Sequence, residues 1–113
     1  MITIYQIKLN KSDRDQINAE GHTSVLKQVH RLDLMMGRDL TSDMMESFEK
    51  AYDVETNDLD EAFHLTNIRA TSRYTEYGRS ASSSVGDLFE MENGDLYICR
   101  DVGFEKFNSE VAA

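Results

Sequence analysis

Ser84-Val85-Gly86-Asp87-Leu88-Phe89-Glu90-Met91-Glu92-Asn93-Gly94-Asp95-Leu96-Tyr97-Ile98-Cys99-Arg100-Asp101-Val102 is the stretch on which the fold turns. Two strand-like runs, 84–92 and 95–102, flank Asn93-Gly94, the pair that most readily takes the positive φ angles of a type I′ turn. The segment therefore predicts a β-hairpin. Val85, Phe89 and Met91 share one face of the first strand, and Leu96, Ile98 and Val102 share a face of the second with Arg100 among them. A two-stranded hairpin alone is marginal in water, so its apolar face needs a third strand or a helix. Residues 2–9 supply the strand: Ile2 and Ile4 fall on one face and Tyr5, Ile7 and Leu9 on the other, a two-sided apolar pattern that suits a central position.

Between these strands the apolar spacing is helical. Ser12 or Asp13 caps a short polar helix that reaches about Glu20 and stops at Gly21. His22-Thr23-Ser24 offers a second cap, after which Val25, Val29, Leu32 and Met36 recur with Leu26 beside them and Gly37 as the stop. A third helix opens at Thr41 to Asp43, with Asp43 and Glu46 in capping-box spacing and Met44, Met45, Phe48 and Tyr52 as its stripe, and ends near Asp53. Asn57 or Asp58 caps a short fourth helix carrying Leu59, Ala62, Phe63 and Ile68. Residues 69–84 have no period and are rich in Ser and Thr, which predicts a mobile loop. Gly103 breaks the last strand before Phe104 and Phe107. The expectation is an α+β domain over residues 1–107, a small antiparallel sheet of N-terminal strand plus Asn-Gly hairpin covered by three to four helices, with a frayed tail over 108–113.

The 113 residues, 40% of them apolar, have room for one core, and no stretch approaches the length of a membrane span. Residues 1–8 lack a signal-peptide apolar region, and Cys99 is the only cysteine, which leaves no intrachain disulfide. An intracellular protein in a reducing compartment, without membrane association, is the expectation. Twenty-one acids against twelve Lys and Arg give a net charge of −9, so the average surface repels phosphate and argues against nucleic acid as a partner. The acids concentrate over 43–61, where Asp43, Glu46, Glu49, Asp53, Glu55, Asp58, Asp60 and Glu61 face only Lys50. That run reads either as a solvated helix face or as a surface that meets a basic partner. Over 69–79 the balance reverses, with Arg69, Arg73 and Arg79 against Glu76, and Tyr74 and Tyr77 interleave with them. Aromatic and basic side chains together stack on bases or grip phosphate, and they are equally the residues enriched at protein interfaces. The absence of proline removes proline-rich recognition segments.

No catalytic residues, metal ligands or cofactors are expected. His22, His30 and His64 never fall four residues apart, and the acids at 53–61 lack the spacing and central glycine of a calcium loop. Cys99 sits in mid-strand, where a packed thiol is the expectation over a nucleophile paired with histidine. Gly78 and Gly86 flank Ser80-Ala81-Ser82-Ser83-Ser84, but no lysine follows at P-loop spacing. Met35, Met36, Met44 and Met45 read as core filler on helix faces or as an adaptable binding surface.

The string Gly78 to Leu88, with its serine-rich lead-in and Ser84-Val85-Gly86-Asp87, followed by 95–107 with the closing Gly103-Phe104, resembles the end of the YodL-like family. Ile4-Tyr5-Gln6-Ile7-Lys8 and Leu59-Asp60-Glu61-Ala62-Phe63 are similar to its start and middle. Leu32-Asp33-Leu34-Met35-Met36 is similar to a helix of small marine-phage proteins. Gly86 in the strand opening and Arg79, where the family often has histidine, depart from the pattern. The hairpin is also faintly like that of the RNA-binding PUA and ASCH domains. The family resemblance implies a phage or mobile-element origin, and with it the cytoplasm of a bacterial host cell, and a fold, with no site to carry over. The functional expectation is non-catalytic binding to a host or viral protein. One alternative is an acidic DNA mimic that blocks a restriction, CRISPR or transcription protein through Asp43, Glu46, Glu49, Asp53, Asp58, Asp60 and Glu61. A second is an RNA- or DNA-binding module using Arg69, Arg73, Tyr74, Tyr77 and Arg79. Pairing of sheet edges into a homodimer is a further expectation, opposed by charges such as Arg100 and Asp101.

Overall fold

The computed structural model describes residues 1–107, so the tail expected over 108–113 lies outside the described residues. Nine regular elements follow one another: β1 (Ile2–Ile7), α1 (Lys11–Glu20), α2 (Leu26–Met35), β2 (Phe48–Val54), α3 (Leu59–Asn67), β3 (Tyr74–Glu76), β4 (Leu88–Glu90), β5 (Leu96–Cys99) and β6 (Phe104–Phe107). Short 3₁₀ turns at His22–Ser24, Ser42–Ser47 and Thr71–Arg73 join them. The strands form one antiparallel sheet in the order β3-β2-β1-β4-β5-β6. The α+β class is as expected, and β1 lies centrally beside the hairpin. The sheet is larger than expected.

The largest difference is the helix expected over Met44 to Tyr52. Ser42–Ser47 is a 3₁₀ turn and Phe48–Val54 is strand β2, paired to β1 on one side and β3 on the other. The reason is a β-bulge. Ile4 pairs with Tyr52 and Tyr5 with Lys50, which leaves Ala51 as the extra residue. Ala51 and Tyr52 are consecutive and both fully buried, so the alternation that marks a strand is broken and the apolar spacing mimics a helix. Backbone pairing on both edges then decides the conformation, and weak local preference yields to it.

The hairpin forms with a different turn. Gly94 N–H donates to the Met91 carbonyl (2.9 Å) and Met91 N–H to the Asp95 carbonyl (2.8 Å), while only Gly94 in the loop has positive φ, at 91°. A type I′ turn needs positive φ at both central residues. This is instead a three-residue loop in which Gly94 makes the bulge. Leu88 faces Ile98 and Phe89 faces Tyr97 across it.

Both faces of the sheet are covered. On one, Ile2, Ile4, Tyr52, Val54, Phe89 and Cys99 pack with Ala62 and Leu65 of α3. On the other, Leu88 and Ile98 pack with Leu34 of α2, Leu40 and Met44. Each fully buried aliphatic or phenyl group contributes roughly 1.5–3 kcal/mol to folding. Asn10 caps α1 in a reciprocal capping box with Asp13, displacing the cap expected at Ser12 or Asp13. Asp58 caps α3 as expected, accepting from the Glu61 N–H at 3.0 Å. Helix α2 buries Gln28, His30 and Leu34, so Met36, expected on its core stripe, is 72% exposed.

The connection 77–87 carries no regular element after β3, yet it is fastened to the sheet. The Gln6 side chain donates to the Ala81 carbonyl (2.9 Å) and the Asp87 carboxylate (3.0 Å) and accepts from the Ala81 N–H (3.2 Å). Tyr52 Oη donates to the same carbonyl (2.6 Å), and Thr66 Oγ1 and Ser83 Oγ are 2.6 Å apart. Gly86 approaches α2 so closely that a Cβ there would stand 3.3 Å from Leu34 Cβ, and its φ is +94°. The expectation of a mobile loop is corrected by these contacts: side-chain hydrogen bonds replace the missing ladder.

Candidate functional site

The acids expected to form one helical face are spread over three elements. Asp43 and Glu46 lie exposed in the 3₁₀ turn, Glu49 is exposed on β2, and Asp58, Asp60 and Glu61 open α3 on the opposite side of the sheet. Several already have partners. Asp53 accepts from Thr3 Oγ1 (2.6 Å) and from Tyr77 Oη. Burial alone raises the Asp53 pKa, and these two hydrogen bonds outweigh it and hold the carboxylate below its ordinary value. Asp58 is occupied as the α3 cap, and Glu61 pairs with Arg73 at 3.2 Å. The Thr41 hydroxyl holds Asp43 below the usual carboxylate range. The phosphate-like row on which a DNA-mimic role rested is divided among a 3₁₀ turn, strand β2 and helix α3.

The Arg and Tyr residues of 69–79 are largely engaged in the fold. Arg69 Nη1 donates to Tyr52 Oη at 2.8 Å and lies 3.8 Å from Glu76. Arg73 Nη2 donates to the Glu55 carbonyl (3.0 Å) as well as to Glu61. Tyr74 is buried, edge-on to Tyr52 with ring centres 5.1 Å apart. Tyr77 lies under the Lys50 ammonium, 5.0 Å from its ring centre. These four side chains strap β3 and its flanking turn to β2 and α3. Arg79 is separate from them: it is exposed and, among the described residues, has no ion pair or hydrogen bond.

Cys99 is buried in the core, its Sγ 3.8 Å from the Arg100 carbonyl, and burial with nearby carboxylates pushes the thiol up to about 11. It is a packed, protonated thiol at neutral pH. One constellation had no sequence signal: His30 Nδ1 is 2.7 Å from Ser47 Oγ, and its Nε2 is 3.9 Å from Asp43 Oδ2. The order resembles a hydrolytic relay, but His30 and Ser47 are buried and the acid is the exposed member. The arrangement ties α2 to the turn that replaces the expected helix. Among the described residues no group of three or more His, Cys, Asp or Glu is placed to hold a metal ion, and no helix is long and apolar enough to cross a membrane.

Several large apolar side chains are also exposed, Leu26 and Ile68 among them. Met35 is 44% exposed, Met36 72% and Val102 94%. Arg100 Nη1 donates to the Arg38 carbonyl at 3.1 Å and Arg100 N–H to the Gly103 carbonyl at 3.0 Å, so the turn carrying Val102 is tied to the chain leaving α2. Charged residues surround this end: Arg38 pairs with Asp33 at 3.1 Å and Arg100 with Glu105 at 3.4 Å, and Asp39 and Asp101 are exposed. Methionine and arginine, both present at this end, are enriched at protein interfaces, and methionine adapts its shape to a partner. The run Met35-Met36 was visible in the sequence. Its exposure depends on how α2 is rotated against the sheet. Comparison of the chain with protein-family models, with curated proteins and with solved structures gives no match in any of the three.

Proposed function

We propose that this chain is a small accessory protein, of phage or mobile-element origin, that acts in the bacterial cytoplasm by binding a host or viral protein without catalysis. The observation that carries it is the exposed apolar end of Met35, Met36 and Val102, framed by charged residues. Met36 and Val102 leave apolar surface in water that a protein partner would bury. The resemblance of the last third to YodL-like proteins supports the origin.

Capture from a bacterial lysate tests it when the tagged chain is compared with Met36→Asp and Val102→Asp. Both substitutions are at exposed positions, so unfolding midpoints should stay within about 0.5 kcal/mol of the parent. One protein enriched by the parent and lost from both variants, yet kept by Ile68→Asp at an exposed position on another element, is the expected result. An unchanged capture profile in Met36→Asp and Val102→Asp would sink the assignment of this surface.

A further inference from the structure

Twelve Lys and Arg face twenty-one acids in this chain, so an ion pair is available to every cation. Seven take one: Lys11, Lys27, Arg38, Arg69, Arg73, Arg100 and Lys106 each lie within 4.0 Å of a carboxylate. Lys50 sits over Tyr77. The remaining four, Lys8, Arg14, Arg31 and Arg79, have no carboxylate within that distance among the described residues, and all four line one groove of about 540 Å³. They come from four different segments: the end of β1, α1, α2 and the fastened connection 77–87.

Like charges that share a groove repel, and an acidic chain has carboxylates to spare for relieving that repulsion. The bonds these cations do make leave their charge intact. Lys8 Nζ donates to the Tyr77 carbonyl (2.8 Å), Arg14 Nη1 to the Leu9 carbonyl (2.9 Å) and Arg31 Nη1 weakly to Gln28 Oε1 (3.5 Å). These neutral acceptors hold the side chains in place and neutralise none of them. The buried Asp87 carboxylate acts on Arg31 through space and shares a small neighbouring pocket with it, but it accepts its hydrogen bonds from Gln6 Nε2 and the Ser84 N–H and does not line the groove. Ile7 and Leu9 add an apolar part to the lining.

We propose that this groove binds a compact polyphosphate, free or carried by a nucleotide. Its volume is in the range of small-ligand sites, and three guanidinium groups with one ammonium match the dense charge and planar oxygen pairs of phosphate. A single carboxylate is too weakly charged to balance four cations. A long polyanion has to leave the groove and cross a surface whose net charge is −9, whereas a compact one stays within reach of the local positive field. The site is separate from the Met36 and Val102 end, and the two are tested by different substitutions.

Isothermal titration of the full chain with pyrophosphate and with ATP, at low salt and without divalent ions, is the test. Saturable binding is expected, weakened at least about tenfold by Arg31→Glu and by Arg14→Glu. Lys106→Glu, with the same charge change outside the groove, should leave it nearly unchanged. Equal affinity for the two probes identifies free polyphosphate as sufficient, and tighter ATP binding adds a contact of the nucleoside with Ile7 and Leu9. Thermal unfolding checks each variant, and Arg79→Glu, at an exposed side chain without bonds, replaces any that does not fold. Absence of saturable binding overturns the proposal, as does equal weakening by Lys106→Glu. Tighter binding of single-stranded DNA than of ATP overturns it in favour of a nucleic-acid site.

Discussion

Helix α1 and the connection 77–87 are both polar and both without an apolar stripe, and they are ordered in opposite ways. Helix α1 has a full hydrogen-bond ladder and a reciprocal capping box, yet it buries no residue; its contacts with the rest are peripheral, such as Lys27 with Asp13 at 3.7 Å and Gln16 Nε2 with the Ser24 carbonyl at 3.0 Å. The connection has no ladder, yet Ser80, Ser83 and Asp87 are buried in it, held by Gln6, Tyr52 and Thr66. Regular backbone and local stability are therefore separate properties here. Stability follows the buried partners, and α1 belongs to the part of the molecule that opens most easily. Hydrogen exchange should show it directly: the Ala81 and Ser84 amides, bonded to Gln6 and Asp87, exchange more slowly than the amides of α1. Faster exchange at Ala81 than in α1 would reverse the comparison.

Gln6→Ala is the largest expected perturbation. It strips a buried carboxylate and the Ala81 peptide of their shared partner, and should cost about 3 kcal/mol or more, read from the denaturant midpoint. The same change in α1, Gln16→Ala, should be nearly silent.

Asp87→Asn sharpens the point through pH. Burial raises the Asp87 pKa to about 7, although the Ser84 and Gln6 hydrogen bonds and the Arg31 charge oppose it. With the folded value above the unfolded one, the native state binds the extra proton between about pH 4 and 7, so this group's contribution to stability falls as pH rises through that window. Asn cannot ionise and keeps an oxygen for the Gln6 and Ser84 donors. The variant should match the parent near pH 4 and exceed it by roughly 2–4 kcal/mol at pH 8, shown by thermal unfolding across that range. A parallel pH dependence in parent and variant would mean that Asp87 is not the titrating group.

Gly86→Ala should cost about 2 kcal/mol, because an added Cβ meets Leu34 and the positive φ disfavours a side chain. Asn10→Ala removes the α1 cap and should cost about 1 kcal/mol or less, since that helix contributes little to global unfolding. If the cap change proved the costlier of the two, α1 would be part of the cooperative core.

Patterns that depend on near neighbours were legible in the chain itself: the two-sided alternation of Ile2, Ile4, Tyr5 and Ile7, the turn at Asn93-Gly94, the Asp58 cap and the lone packed cysteine. Each is a local preference of a few residues, and local preference is what a sequence displays. Strand β2 was not legible, because the bulge at Ala51 breaks its alternation and only pairing with β1 and β3 restores it. The fastening of 77–87 was equally hidden, since Gln6 and Asp87 meet across 81 positions. The same holds for both candidate sites. Met36 is exposed only because α2 turns Gln28, His30 and Leu34 inward. Lys8, Arg14, Arg31 and Arg79 are scattered through an acidic chain, and nothing but the packing of four segments brings their charges to one groove.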